Sequence, residues 1–125
     1  MGYEAKKVMV VDDSSVMRQI IKNNLKQLGF TSISDAEDGA AGFKKLGEEP
    51  VDLIVSDWNM PKMTGIEFLK AVRADANFKG IPFLMVTSEA DKDKIMEAVQ
   101  AGVSQYIVKP FNAVQLEEKI KQIFK

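Results

Sequence analysis

The chain has 125 residues, 46% hydrophobic and 28% charged, enough for one ordinary globular core and too few for two. Seventeen Lys and Arg against eighteen Asp and Glu leave a net charge of −1, so the basic surplus that drives non-specific binding to nucleic acid or anionic membrane is missing and neither is expected as a partner. With no Cys and no His, disulfides, thiolate nucleophiles, imidazole bases, Ser-His triads and thiolate or imidazole metal ligands are excluded, and any chemistry must rest on Asp, Glu, Lys, Ser, Thr or Tyr.

The N-terminal residues Met1 to Lys7 lack the apolar stretch of a signal peptide, and Lys6 stands where a myristoylation site wants Ser or Thr. The apolar run Ile81 to Val86 is far shorter than the ~20 residues that span a bilayer, so a cytoplasmic protein is expected. Val8-Met9-Val10-Val11 is β-branched and too short for a helix, and reads as a doubly buried strand. From Ser15 the apolar positions Met17, Ile20, Ile21, Leu25 and Leu28 follow helical spacing, with Asp13, Ser14 and Ser15 as candidate N-caps and Gly29 as the stop. Ser32-Ile33-Ser34 is the faintest strand signal, and Ala40 to Leu46 is a short helix closed by Gly47 and Pro50.

Leu53-Ile54-Val55 reads as the third strand and Ile66, Leu69 and Val72 mark the third helix. Phe83 to Val86 is a fourth strand entered through Pro82; Asp91 can cap a helix carrying Ile95, Ala98 and Val99 and ending at Gly102. Tyr106-Ile107-Val108 is the fifth strand, and Leu116, Ile120, Ile123 and Phe124 stripe the last helix. Met17, Met85 and Met96 fall at core spacing. Near-continuous apolar strands alternating with amphipathic helices require a parallel sheet covered on both faces, hence a doubly wound, five-stranded α/β domain filling residues 1–125 with no effector domain.

Such sheets bind ligands beyond the C-terminal ends of their strands. There the chain carries Asp12-Asp13, Asp57, Thr87-Ser88 and Lys109-Pro110. If the first and third strands are neighbours, two carboxylates ~5 Å apart at an effective dielectric of ~20 repel by ~3 kcal/mol, and the cluster calls for a cation. Without His or Cys the ligands are hard oxygens, which suit Mg²⁺ or Mn²⁺ over Zn²⁺. A metal beside a carboxylate, a lysine and a hydroxyl suits phosphoryl transfer, in which an aspartate can itself be the nucleophile. Asp57, between the acidic pair and Thr87 with Lys109, is the candidate acceptor. Taken singly, Asp13 could cap a helix, Thr87 could open a loop and Lys109 could be solvated; Asp57 is harder to explain so, because Asn59, Met60 and Pro61 already make the turn.

Val10-Val11-Asp12-Asp13-Ser14, Ser56 to Gly65, Met85-Val86-Thr87-Ser88-Glu89 and Val108-Lys109-Pro110-Phe111 together resemble the receiver domain of two-component response regulators, and among them the CheY-type chemotaxis regulators, over essentially the whole chain. The resemblance implies a flavodoxin-like fold with strand order 2-1-3-4-5, which the residues alone do not yield. It implies that Asp57 takes a phosphoryl group from a histidine kinase, that Asp12 and Asp13 organise Mg²⁺ with Asp57 and the backbone carbonyl of Asn59, and that Lys109, preceding a cis Pro110, pairs with the phosphoryl group. Thr87 and Tyr106 would form the switch that reshapes the surface of the fourth helix, fifth strand and fifth helix. By periodicity alone Tyr106 is instead a half-buried aromatic with its hydroxyl in water.

Lys92 and Lys119 fall where the family's output face lies, though exposed lysines are the default on any helix. Asn59 and Glu89 would tune the lifetime of the phosphoryl group, with a separate phosphatase as a further partner. Ser14, Lys62 and Thr64 depart from many chemotaxis relatives. The resemblance points to a monomeric switch that is not a conventional enzyme, acting on the flagellar motor switch, a target that Trp58-Asn59 and Tyr106 favour. A stand-alone phosphorelay intermediate serving a histidine phosphotransfer protein is the alternative. An FMN-carrying flavodoxin is disfavoured because Asp12-Asp13 would repel its phosphate. A haloacid-dehalogenase-like phosphatase would need an Asp-x-Asp pattern, and a nucleotide-binding P-loop its Gly-rich run; neither is present.

Overall fold

The computed structural model describes residues 3–88 and 92–125. Five strands and five helices alternate: β1 (Lys7–Val11), α1 (Ser15–Gln27), β2 (Ser32–Ala36), α2 (Gly39–Glu48), β3 (Leu53–Asp57), α3 (Gly65–Ala74), β4 (Phe83–Thr87), α4 (Lys92–Gln100), β5 (Gln105–Val108) and α5 (Ala113–Ile123). The strands form one parallel sheet in the order β2-β1-β3-β4-β5. The doubly wound α/β architecture and the strand order are therefore those expected.

Successive side chains of a strand face opposite sides, so each apolar run divides between two cores. Met9, Val11, Ile54, Phe83 and Met85 pack with Leu46 of α2, Phe68, Leu69 and Val72 of α3, and Ala98 of α4. Val8, Val10, Leu53, Val55, Leu84 and Val86 pack with Ile21 and Leu25 of α1 and Leu116 and Ile120 of α5. Both faces are covered, which is why β1, β3 and β4 read as unbroken apolar runs. Strand β2 is an edge strand paired on one side only, and just one of its residues, Ala36, is fully buried. Its alternating polar sequence accounts for its faint signal, and it runs two residues beyond the Ser32 to Ser34 expected.

Capping resolves the helix ends. Ser14 is the N-cap of α1, its side chain accepting the Met17 N–H, and the helix closes where Gly29 adopts φ 110° and the Phe30 N–H reaches the Leu25 carbonyl. Helix α2 starts at the Asp38 cap and runs through Gly47 to Glu48, one residue beyond the expected stop. Space is open around Gly47, and Pro50 ends the helical path. The expected Asp91 cap lies outside the described residues. Met96 and Val99, placed on the buried stripe by spacing, are 49% and 58% exposed, and Ile20 on α1 is 46% exposed. The apolar stripes of α4 and α1 are wider than the surfaces they meet: in α4 only Ala98 is fully buried.

Gly65 sets the loop after β3. A Cβ there would collide with the Asp57 carbonyl oxygen and lie 2.8 Å from the Trp58 Cα and 2.9 Å from the Met85 Sδ, two of these being backbone atoms that cannot swing aside. The Gly65 N–H donates to the Trp58 carbonyl at 2.7 Å, so the start of α3 is pinned against the end of β3. Gly65→Ala is expected to cost about 3 kcal/mol, the upper end of overpacking penalties, read as a lower midpoint in urea denaturation at unchanged slope.

Candidate functional site

Strand register brings the polar strand ends together. Val11 pairs with Ser56, Asp57 with Val86 and Thr87 with Val108, so Asp12, Asp57, Thr87 and Lys109 emerge side by side at one edge of the sheet. Backbone bonds continue the ladder past the strand ends: Asp12 N–H to Ala36 O at 3.1 Å, Trp58 N–H to Val86 O at 2.9 Å and Lys109 N–H to Thr87 O at 2.7 Å.

Asp12 and Asp57 are buried, at 1% and 7% exposure, while Asp13 is exposed at the mouth. Their carboxylates offer oxygens that all lie within 4.8 Å of one another. The Lys109 Nζ is 3.2 Å from Asp57 Oδ1 and 3.7 Å from Asp12 Oδ2, and its peptide bond to Pro110 is cis, the geometry the resemblance implies. Burial pushes the Asp57 carboxyl above the ordinary carboxylate range, against the opposing pull of the Lys109 ammonium and the Trp58 N–H. Burial likewise raises Asp12, opposed by the Ser14 N–H and reinforced by the charge of Asp57.

Asp12 Oδ2 is the one buried side-chain polar atom among the described residues without a hydrogen-bond partner. An orphaned carboxylate oxygen beside two further carboxylates, with a single ammonium nearby, is a set of hard ligands that a divalent cation would satisfy. The residues present fit Mg²⁺, which accepts one or two carboxylates and keeps several waters. Asn59, whose carbonyl is a further candidate ligand, is exposed just past Asp57 in the same loop.

Thr87 is buried at the end of β4, at 4% exposure. Tyr106 pairs across the sheet with Met85 and is half-buried against the α2/α3 core, with the Lys119 Nζ 5.1 Å from its ring centroid. Lys119 and Tyr106 thus lie together on the β5/α5 surface, while Lys92 is exposed at the first turn of α4. Glu89 lies outside the described residues. Of Ser14, Lys62 and Thr64, two are helix caps: Ser14 caps α1, and Thr64 forms a capping box with Glu67 at the start of α3. Lys62 occupies the left-handed region at φ 67° within the tight turn in which the Met63 N–H reaches the Pro61 carbonyl.

Two cationic neighbours of the site, Lys94 and Arg18, carry no sequence signal. Trp58, buried beside Asp57, has the Lys94 ammonium 5.3 Å from its ring centroid. Arg18 donates from Nη1 to the Asp12 carbonyl at 2.7 Å and from Nε to Asp35 Oδ2 at 2.9 Å. Each reads in the sequence as an ordinary solvated cation on a helix; only the packing of α1 beside the strand ends, and of α4 beside the β3 loop, gives them partners.

Residues 8–121 match the family model of the response regulator receiver domain. The chain is 55% identical over 118 residues to the chemotaxis protein CheY of Pseudomonas aeruginosa, covering 94% of this chain and 95% of that protein. It is 50% identical over 118 residues to the chemotaxis protein CheY-3 of Vibrio cholerae, covering 94% and 91%. Among solved structures, the chemotaxis response regulator CheY4 of Vibrio cholerae superimposes with a TM-score of 0.88 at 38% identity, over 94% of this chain and 98% of that one. A response regulator described as putative from Chloroflexus aurantiacus shares the fold at a TM-score of 0.89 and 24% identity, over 94% and 96%.

Because the folded state holds the Asp12 and Asp57 carboxyls above the value of 3.8 they have in the unfolded chain, it binds protons more tightly. Their contribution to stability is fully present below that value and lost as pH rises through the folded-state pKa values. The metal-free protein is therefore expected to lose stability as pH rises above 3.8, with a smaller loss in Asp57→Asn. At neutral pH that variant is expected to be more stable by on the order of 1 kcal/mol, because a buried like charge is removed. Urea denaturation across pH in the presence of a chelator measures both effects.

Proposed function

The chain belongs to the response regulator receiver family, and from that membership we propose that it is a phosphorylation-dependent chemotaxis switch with Asp57 as its acceptor. The observation that carries this reading is the ammonium of Lys109 at 3.2 Å from a buried aspartate that shares its pocket with Asp12 and Asp13. A carboxylate held buried in a compact site is poised as a nucleophile, and Lys109 is within reach of the negative charge that a transferred phosphoryl group would add.

In the transfer, an Asp57 oxygen bonds to phosphorus as the phosphorus–nitrogen bond of the donor phosphohistidine breaks; the electron pair goes to the imidazole, which takes a proton from solvent. Asp12 and Asp13, with Asp57 and the Asn59 carbonyl, would hold Mg²⁺. When bound, the ion would supply neutralisation of negative charge on the phosphoryl oxygens. This chain's contribution is positioning: the register of β1, β3 and β4 aligns the carboxylates, and Lys109 balances their charge. The protein assists its own phosphorylation and dephosphorylation without being a conventional enzyme, and the exposed Asn59, with Glu89, would set how readily water reaches the acyl phosphate.

Output follows from the same register. Thr87 lies one strand pairing from Asp57 and next to Val108, so a new charge on Asp57 draws its hydroxyl and frees space towards Tyr106. The α4/β5/α5 surface, with Lys92, Tyr106 and Lys119, is the face that would change. The close chemotaxis relatives support a histidine kinase as donor, the flagellar motor switch as target, a phosphatase as terminator and the cytoplasm as site of action. We read the whole of residues 1–125 as the receiver unit.

With a chemotaxis histidine kinase, Asp57→Asn is expected to accept no phosphoryl group at this site while folding normally, and phosphorylation of that variant at the wild-type level would overturn the acceptor. Asp13→Lys is expected to weaken Mg²⁺ binding by more than tenfold in calorimetry, through loss of a ligand and gain of a like charge. Thr87→Ala is expected to take up phosphate yet fail to raise affinity for a motor-switch peptide. Onward transfer from Asp57 to a histidine phosphotransfer protein, with no gain in motor-switch affinity, would favour a phosphorelay role instead.

A further inference from the structure

Asp12 is held at all of its polar atoms but one. Its N–H donates to the Ala36 carbonyl at 3.1 Å, its Oδ1 accepts the Ser14 N–H at 2.9 Å, and its carbonyl accepts Arg18 Nη1 at 2.7 Å. The remaining oxygen, Oδ2, lies in the carboxylate cluster with no hydrogen-bond partner. Of these three hydrogen bonds two come from backbone N–H or carbonyl groups, and the one from Arg18 is contributed by a side chain.

Arg18 is built for that contact. Its guanidinium bridges two elements, with Nη1 on the end of β1 and Nε 2.9 Å from Asp35 Oδ2 in β2, and its side chain is only 19% exposed. Asp35 also has the Lys22 ammonium at 3.7 Å, and its carbonyl accepts from Lys45. The planar fork is therefore oriented from its far side while it grips the Asp12 carbonyl, which a single ammonium could not do at both ends. The carbonyl it grips belongs to the peptide plane joining Asp12 to Asp13. By fixing that plane the hydrogen bond holds ψ of Asp12 and φ of Asp13, the torsions that set the two acidic residues relative to each other, alongside the Ser14 N–H on Asp12 Oδ1.

We propose that Arg18 is a positioning residue for the divalent-cation site: through the Asp12–Asp13 peptide it aims both carboxylates at the position the ion would take. The inference rests on the cation-binding part of the function proposed above. It runs against the simple electrostatic expectation, because removing a positive charge near an acidic cluster should strengthen cation binding. A positioning role predicts the opposite sign.

The test is calorimetric titration of Mg²⁺ into the wild-type protein, Arg18→Met, Arg18→Lys and Asp35→Ala, with thermal unfolding followed in parallel. Arg18→Met is expected to weaken Mg²⁺ binding about tenfold, as loss of a group that orients metal ligands typically does. Arg18→Lys, which keeps the charge and loses the fork, is expected to weaken it nearly as much, and Asp35→Ala by about threefold, since it releases only the far side of the guanidinium. Equal or tighter binding in the Arg18 variants, whatever their thermal stability, would overturn the positioning role while leaving the cation site standing. Absence of Mg²⁺ binding to the wild-type protein would overturn the site, and the inference with it. Should Arg18→Met not fold cooperatively, Arg18→Lys and Asp35→Ala decide the matter by the same criterion.

Discussion

Two buried carboxylates and a third at the pocket mouth, with oxygens within 4.8 Å, set the terms for the rest of the molecule. Burial disfavours their ionised forms, and proximity adds repulsion that Lys109 only partly offsets. An arrangement of this kind is held in place by a scaffold that cannot relax. The scaffold here is the parallel ladder of β1, β3 and β4, buried on both faces, whose register leaves the strand ends no freedom to part.

The supporting contacts serve that constraint from several sides. Gly65 lets α3 begin in contact with the backbone of Asp57 and Trp58, and the Thr64–Glu67 capping box fixes where the helix starts. Ser14 caps α1 at the other side of the mouth while its N–H holds Asp12 Oδ1. Arg73 anchors the far edge of the fold, donating to the carbonyls of Gly102, Lys79 and Ile81 and so tying the C-terminal end of α4 to the entry of β4. The rest of α4 is more lightly held, with Ala98 its single buried residue, the Lys94 ammonium over Trp58 and an ion pair between Glu97 and Lys70. The helix with the fewest fully buried residues thus borders both the site and the proposed output face, as a switching element requires.

Strand and helix patterning were legible because β1, β3 and β4 are buried on both faces and leave continuous apolar runs. The signal faded where that condition failed. Strand β2 pairs on one side only and alternates polar with apolar residues, and α4 carries exposed Met96 and Val99 that helical spacing alone assigned to the core. Periodicity records which residues share a face, whereas burial depends on how much of a neighbouring surface meets that face.

For the site, the sequence by itself determined the residue types: an acidic pair, a lone aspartate, a hydroxyl and a lysine, each directly after an apolar run, and the absence of Cys and His that confines any metal to oxygen ligands. Tertiary structure decided which of these groups are neighbours, because strand order and register join positions tens of residues apart that no local pattern relates. It also decided which carboxylate oxygen is left without a partner, and it supplied Arg18, whose importance lies wholly in the direction its guanidinium faces once α1 has packed beside the ends of β1 and β2. Side-chain hydrogen bonds are directional and reach about 3 Å, so they are settled only after packing has fixed the backbones that carry them.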